Sequence, residues 1–71
     1  MAERLGLRVG KMIRECRVAR QMSQSEMAEI MGTDQGMVSR IEAQGNFSIP
    51  TLEAAAAAVD AELVLELRLR P

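Results

Sequence analysis

The sequence has no histidine, tryptophan or tyrosine, a single phenylalanine and a single cysteine in 71 residues. Without histidine and with a lone thiol, the usual zinc-ligand sets, an imidazole base and an intrachain disulfide are excluded. No apolar run approaches the roughly 20 residues that span a bilayer, and no apolar signal-peptide segment opens the chain. No nucleophile stands beside a base and no glycine-rich phosphate loop is present, so neither an enzyme nor a cofactor is expected. A cytoplasmic location follows from these absences as an expectation. With Phe47 the lone aromatic residue, a hydrophobic content of 48% must come from Leu, Ile, Val, Met and Ala, a palette that suits packed helices. Cys16 falls on an apolar stripe and reads as an inert core thiol, and the six methionines as core filler.

A chain this short forms one small domain that buries only about 60% of the surface its unfolded form exposes. Part of its core area is therefore expected to come from a second subunit. The net charge of −1 conceals a gradient. Residues 1–20 hold Arg4, Arg8, Lys11, Arg14, Arg17 and Arg20 against Glu3 and Glu15, whereas the remainder is acidic. The basic end can face phosphates while the rest repels them; a solvated charged helix face is the alternative for the individual arginines.

Leu5, Val9, Met12, Ile13 and Cys16 recur at helical spacing and predict a first helix ending near Arg20. Ser23-Gln24-Ser25-Glu26 is a capping box that starts a second helix. Met27, Ala28, Ile30 and Met31 are its expected buried face, and Gly32 its left-handed stop. Thr33-Asp34 offers a new N-cap at once, so a third helix runs from about Gln35 to Ala43, with Val38 and Ile41 inward and Gly45 as its stop. Ser48, Pro50 and Thr51 initiate a fourth helix through the alanine run to Val59, closed by Asp60. Beyond it the period changes to two, with Leu63, Leu65, Leu67 and Leu69 alternating with Val64, Glu66, Arg68 and Arg70. Such a pattern predicts a strand, with continuation of the fourth helix as the alternative. A lone strand lacks a partner in this chain, so pairing with its own copy across a two-fold axis is the expected repair. The expectation is a mainly α, four-helix domain over residues 1–61 and a dimerisation strand over residues 62–71.

The second and third helices, joined by a tight turn, form a helix-turn-helix, whose second helix enters the major groove of DNA. Gln35, Gly36, Ser39 and Arg40 share one exposed stripe near the start of that helix. Gln pairs bidentately with adenine and Arg with guanine, Ser bonds to several bases, and Gly36 lets the backbone approach. Gln35 and Arg40 are the main candidate base readers. Gln24, in the first turn of the second helix, is placed for a phosphate contact. For Ser23, two roles stay open, a purely structural cap or a DNA contact. A helical protein-interaction module is the competing use of such a fold, but an apolar patch would serve it better than this polar stripe.

The segment SQSEMAEIMGTDQGMVSRIEAQG, residues 23–45, resembles the Cro/C1-type, or xenobiotic-response-element-type, helix-turn-helix family of phage and bacterial repressors. Gln24, Glu26, Ala28, Gly32, Val38, Ser39, Ile41 and Glu42 fall where that family's pattern places them, and the resemblance covers residues from about 7 to 60. It implies a lambda-repressor-like fold, phosphate contact at Gln24, base contact at Gln35, Gly36, Ser39 and Arg40, and a structural ion pair between Arg17 and Glu42. Met37 departs from the small polar residue the family often carries near the DNA backbone, leaving sugar or thymine-methyl contact open to it. Asn46 is a further candidate phosphate contact. The resemblance implies a double-stranded DNA operator as partner and a nucleoid-associated place in a bacterial or phage-infected cell. A dimer would read a pseudo-palindrome with half-sites about 34 Å apart. The terminal strand is similar to that of antitoxins of the HipB and HigA kind, which implies an alternative function: neutralising a toxin by protein binding while autoregulating the operon.

Overall fold

In the computed structural model, which describes the backbone of residues 2–70 and the side chains of residues 5–70, four helices follow one another: α1 (Ala2–Ala19), α2 (Gln24–Met31), α3 (Gln35–Gln44) and α4 (Ile49–Ala58). Each start has a local cause. The Ser23 hydroxyl accepts the Glu26 amide at 3.0 Å while the Glu26 carboxylate accepts the Ser23 amide at 2.9 Å, completing the capping box of α2. Asp34 caps α3 by accepting the Met37 amide at 2.8 Å, and Ser48 caps α4 through Thr51.

The helix ends share a left-handed residue. Gly32 and Gly45 supply it after α2 and α3. Gln21 and Asp60 adopt it without being glycine, with φ of 55° and 57°. At α1, α2 and α4 the amide of the following residue reaches back five positions, Met22 to Arg17, Thr33 to Ala28 and Ala61 to Ala56. That bond satisfies a carbonyl otherwise orphaned at a helix terminus.

Helix α3 packs on α1 and α2, and α2 on α4. Their shared core is Ile13, Met27, Ala28, Val38, Ile41, Leu52, Ala55, Ala58 and Val59. Two expectations about buried faces are corrected here. Ile30 is 61% exposed, because α2 is only eight residues long and buries Met27 and Ala28 between its neighbours. Leu5 and Met12 are likewise exposed, because the inner face of α1 is centred on Gly6, Gly10 and Ile13. A side chain added at Gly10 would lie 2.5 Å from the Ile41 carbonyl and 2.7 Å from that of Glu42. One at Gly45 would collide with the Gly6 carbonyl. The backbones of α1 and α3 thus approach as closely as glycine permits.

Residues 61–70 form neither helix nor strand. The continued-helix alternative ends at Asp60. The predicted strand is also absent, since a strand exists through bonds to a neighbour and the described residues of this chain offer only helices. Nor do the four leucines share one fate. Leu63 packs against the core, Leu65 lines a groove beside it, and Leu67 and Leu69 are fully exposed. Among the described residues, no helix is long and apolar enough to cross a membrane.

Candidate nucleic-acid interface

The capping box that starts α2 also positions Gln24, and the Asp34 cap positions Gln35. These two glutamines meet: the Gln35 amide nitrogen donates to the Gln24 side-chain oxygen. Gln24 in turn donates to Glu42 Oε1 at 3.1 Å. Glu42 is held by Arg17 through a two-pronged bridge, Nε to Oε2 at 2.6 Å and Nη2 to Oε1 at 3.1 Å. The remaining Arg17 nitrogen, Nη1, donates to the Met22 carbonyl at 2.7 Å in the turn before α2. A continuous chain of polar contacts therefore runs from α1 through the end of α3 and the start of α2 to the first residue of α3.

The inner end of this chain is dry and the outer end is wet. The side chains of Arg17 and Glu42 are 12% and 4% exposed. Fork-to-carboxylate geometry and complete hydrogen bonding make burial of both charges tolerable. The hydrogen bonds that Arg17 donates to Glu42, opposed by desolvation, raise the Arg17 pKa further, so the guanidinium stays charged. Gln24 is half-buried and Gln35 exposed.

Gln35, Gly36 and Arg40 are exposed and Ser39 is half-buried along the outer face of α3. No salt bridge engages Arg40 among the described residues. Its Nη2 rests 3.9 Å from the Met37 sulfur. Met37 is partly buried against the core, which makes it a support under Arg40 and leaves little of it for a sugar or phosphate. Asn46 is exposed beyond the opposite end of α3, about 15 Å from Gln35 along the axis, and shares a shallow groove with Leu7, Ala43 and Gln44. Ser23 is exposed, but its hydroxyl oxygen and amide are engaged by Glu26.

Two features escaped the residue patterns. The close α1–α3 approach had a usable signal, the four-residue spacing of Gly6 and Gly10. The Gln24–Gln35 contact had none, because whether two exposed amides meet depends on the turn between α2 and α3.

The Glu26 carboxyl is held below its ordinary value of 4.5 by the Ser23 amide first and the Ser23 hydroxyl second. A lowered folded-state pKa contributes stability that is present above the ordinary value and lost as pH falls through the lowered one. Glu26→Gln is therefore expected to lower the thermal midpoint at pH 7, with the gap from the parent closing as pH falls below the ordinary carboxylate range. A gap independent of pH would remove the charge from the cap's contribution.

A short helix, a tight glycine turn and a second helix with a polar outer face define a helix-turn-helix DNA-binding unit. Residues 13–64 match the helix-turn-helix family. The chain belongs to that family, in its Cro/C1-type form, and is a DNA-binding transcription regulator. Its fold is similar to the crystal structure of the restriction-modification controller protein C.AhdI from Aeromonas hydrophila. The TM-score is 0.65 and the identity 29%, over 79% of this chain and 83% of that one. No curated protein sequence matches.

Proposed function

We propose that the protein is a dimeric transcriptional repressor of the controller type, reading a pseudo-palindromic operator through the major groove. The observation that carries this reading is the outer face of α3, where Gln35, Gly36, Ser39 and Arg40 stand together and Gln35 is braced by Gln24. Bracing fixes the amide before DNA arrives, which lowers the ordering cost of a bidentate contact to adenine. Arg40, without an acidic partner, reads guanine. Gln24 and the amides at the start of α2 take phosphate, as does Asn46, while Met37 supports Arg40 from beneath. The likeness to a controller protein favours an autonomous regulator over the antitoxin reading.

Fluorescence-anisotropy titration against DNA from upstream of its own gene, beside scrambled DNA at two salt concentrations, tests the assignment. Arg40→Ala is expected to cost about 1–3 kcal/mol of operator affinity and to relax preference at one base position. An unchanged preference removes Arg40 from base reading, and equal binding to both DNAs removes operator reading altogether.

Residues 62–71 act in this reading as the dimerisation segment, through pairing of two tails. Leu67 and Leu69 are fully exposed in the single chain, so replacing both by Asp leaves the fold intact. The double variant is expected to sediment as a monomer at concentrations where the parent is a dimer. Persistence of the dimer would move the interface elsewhere.

A further inference from the structure

The tail changes character along its length. Leu63 sits against the core, between two shallow grooves that it helps to line. Leu65 lines the groove of Leu5, Val9, Phe47 and Ile49. Leu67 and Leu69 then project beyond the body with nothing over them. Glu66 and Arg68, two residues apart, bond to each other at 2.9 Å, so their side chains lie on one side, as alternate side chains of an extended segment do.

Building on the strand-paired dimer proposed above, we infer its register. The two tails pair antiparallel about an axis through Leu65, with Leu63 opposite the partner's Leu67 and Glu62 opposite the partner's Arg68. Three constraints converge on that alignment. Leucines must oppose leucines, because a slip of one residue turns the apolar face outward. Like charges must not face each other. Axes through Val64, Glu66, Arg68 or Leu69 fail this condition, placing Glu62 opposite Glu66, Glu66 or Arg68 opposite itself, or Arg68 opposite Arg70.

The third constraint is burial. An axis through Leu63 leaves Leu67 and Leu69 beyond the paired region. An axis through Leu67 satisfies charge, but sets Leu67 against itself, away from both helical bodies. Only the axis through Leu65 lays the partner's Leu67 beside Leu63, which is already seated on its own core. Each chain's projecting leucine is then covered by the other chain's body, and no residue of the DNA-reading face is used.

Because Cys16 is the sole cysteine, a Cys16→Ser background gives a clean crosslinking test on the full chain. Directly opposed strand residues have Cβ atoms about 4.5–5.5 Å apart, close enough for a disulfide after slight adjustment. Leu65→Cys in that background is expected to yield covalent dimer under oxidised glutathione. Leu67→Cys is not, since its two copies lie four residues out of step, about 13 Å apart. Independently, Glu62→Arg and Arg68→Glu are each expected to raise the dimer dissociation constant about tenfold, and their combination to restore it.

Crosslinking through position 67 but not 65, or failure of the charge exchange to rescue, overturns the register and leaves the strand dimer standing. A parent chain that sediments as a monomer at every concentration overturns the strand dimer itself. A parent dimer that crosslinks at neither position overturns tail pairing.

Discussion

Glu42→Ala is expected to destabilise the protein by about 3–5 kcal/mol, because it strands the Arg17 guanidinium in a largely dry site. That is a large share of the roughly 5–15 kcal/mol that holds a small domain together. The loss exceeds that of an ordinary ion pair for a structural reason. Glu42 accepts from two Arg17 nitrogens and from Gln24, and with Met22 these contacts join α1, α2 and α3 at one point. Urea unfolding measures it directly, as a lower midpoint at unchanged slope. Replacing both partners by apolar residues, Arg17→Met with Glu42→Leu, is expected to recover most of the stability, since no uncompensated charge then remains. A Glu42→Ala loss under about 1 kcal/mol would class the pair with solvent-exposed bridges. The paired apolar variant also separates stability from reading. It folds, yet leaves Gln24 without its acceptor, so operator affinity is expected to fall while most of the stability is kept.

Gly45→Ala is the second large effect. Two costs combine at this position. An alanine must hold φ near 60°, which costs about 1–2 kcal/mol, and its methyl group would land on the Gly6 carbonyl, so α1 and α3 must separate. Overpacking of this kind costs about 1–3 kcal/mol more. Gly32→Ala is the internal control, for Gly32 has φ of 73° but no atom within 4 Å of an added Cβ. Gly32→Ala is expected to show the conformational cost alone. The difference between the two variants in urea unfolding therefore reports the helix approach. Equal losses would mean that the contact between α1 and the end of α3 relaxes freely.

The surface bridges contribute little by comparison. Arg20–Asp60 spans 3.4 Å between side chains that are 53% and 74% exposed, a setting in which such pairs contribute about 0–1 kcal/mol. Its position between the ends of α1 and α4 aligns two helix termini that already close themselves through Gln21 and Asp60.

Helix boundaries were legible in the residues because their causes are local. Ser23 with Glu26, Asp34 with Met37, and Ser48 with Thr51 lie within three residues of one another, and Gly32 and Gly45 carry their conformational preference wherever they stand. The polar stripe on α3 was legible for the same reason, since helical periodicity alone puts Gln35, Gly36, Ser39 and Arg40 on one side. The partnership of Arg17 and Glu42, separated by 25 positions, came from family resemblance and not from spacing. The four-residue spacing of Gly6 and Gly10 signals a close helix approach, but no local rule reveals that its partner is α3, that Ile30 faces solvent, or that Met37 turns inward beneath Arg40. Those outcomes depend on crossing angles and turn geometry summed over the whole chain. The tail shows the division most sharply. Its alternation of leucine with charge is written in the sequence, but a strand consists of hydrogen bonds to a neighbour, and one chain of helices has none to offer. Sequence by itself therefore determined the helices, their caps and the composition of the polar outer face of α3; tertiary structure decided which buried charges meet, how closely the backbones approach and which leucines remain uncovered, because each depends on the distance between groups far apart along the chain.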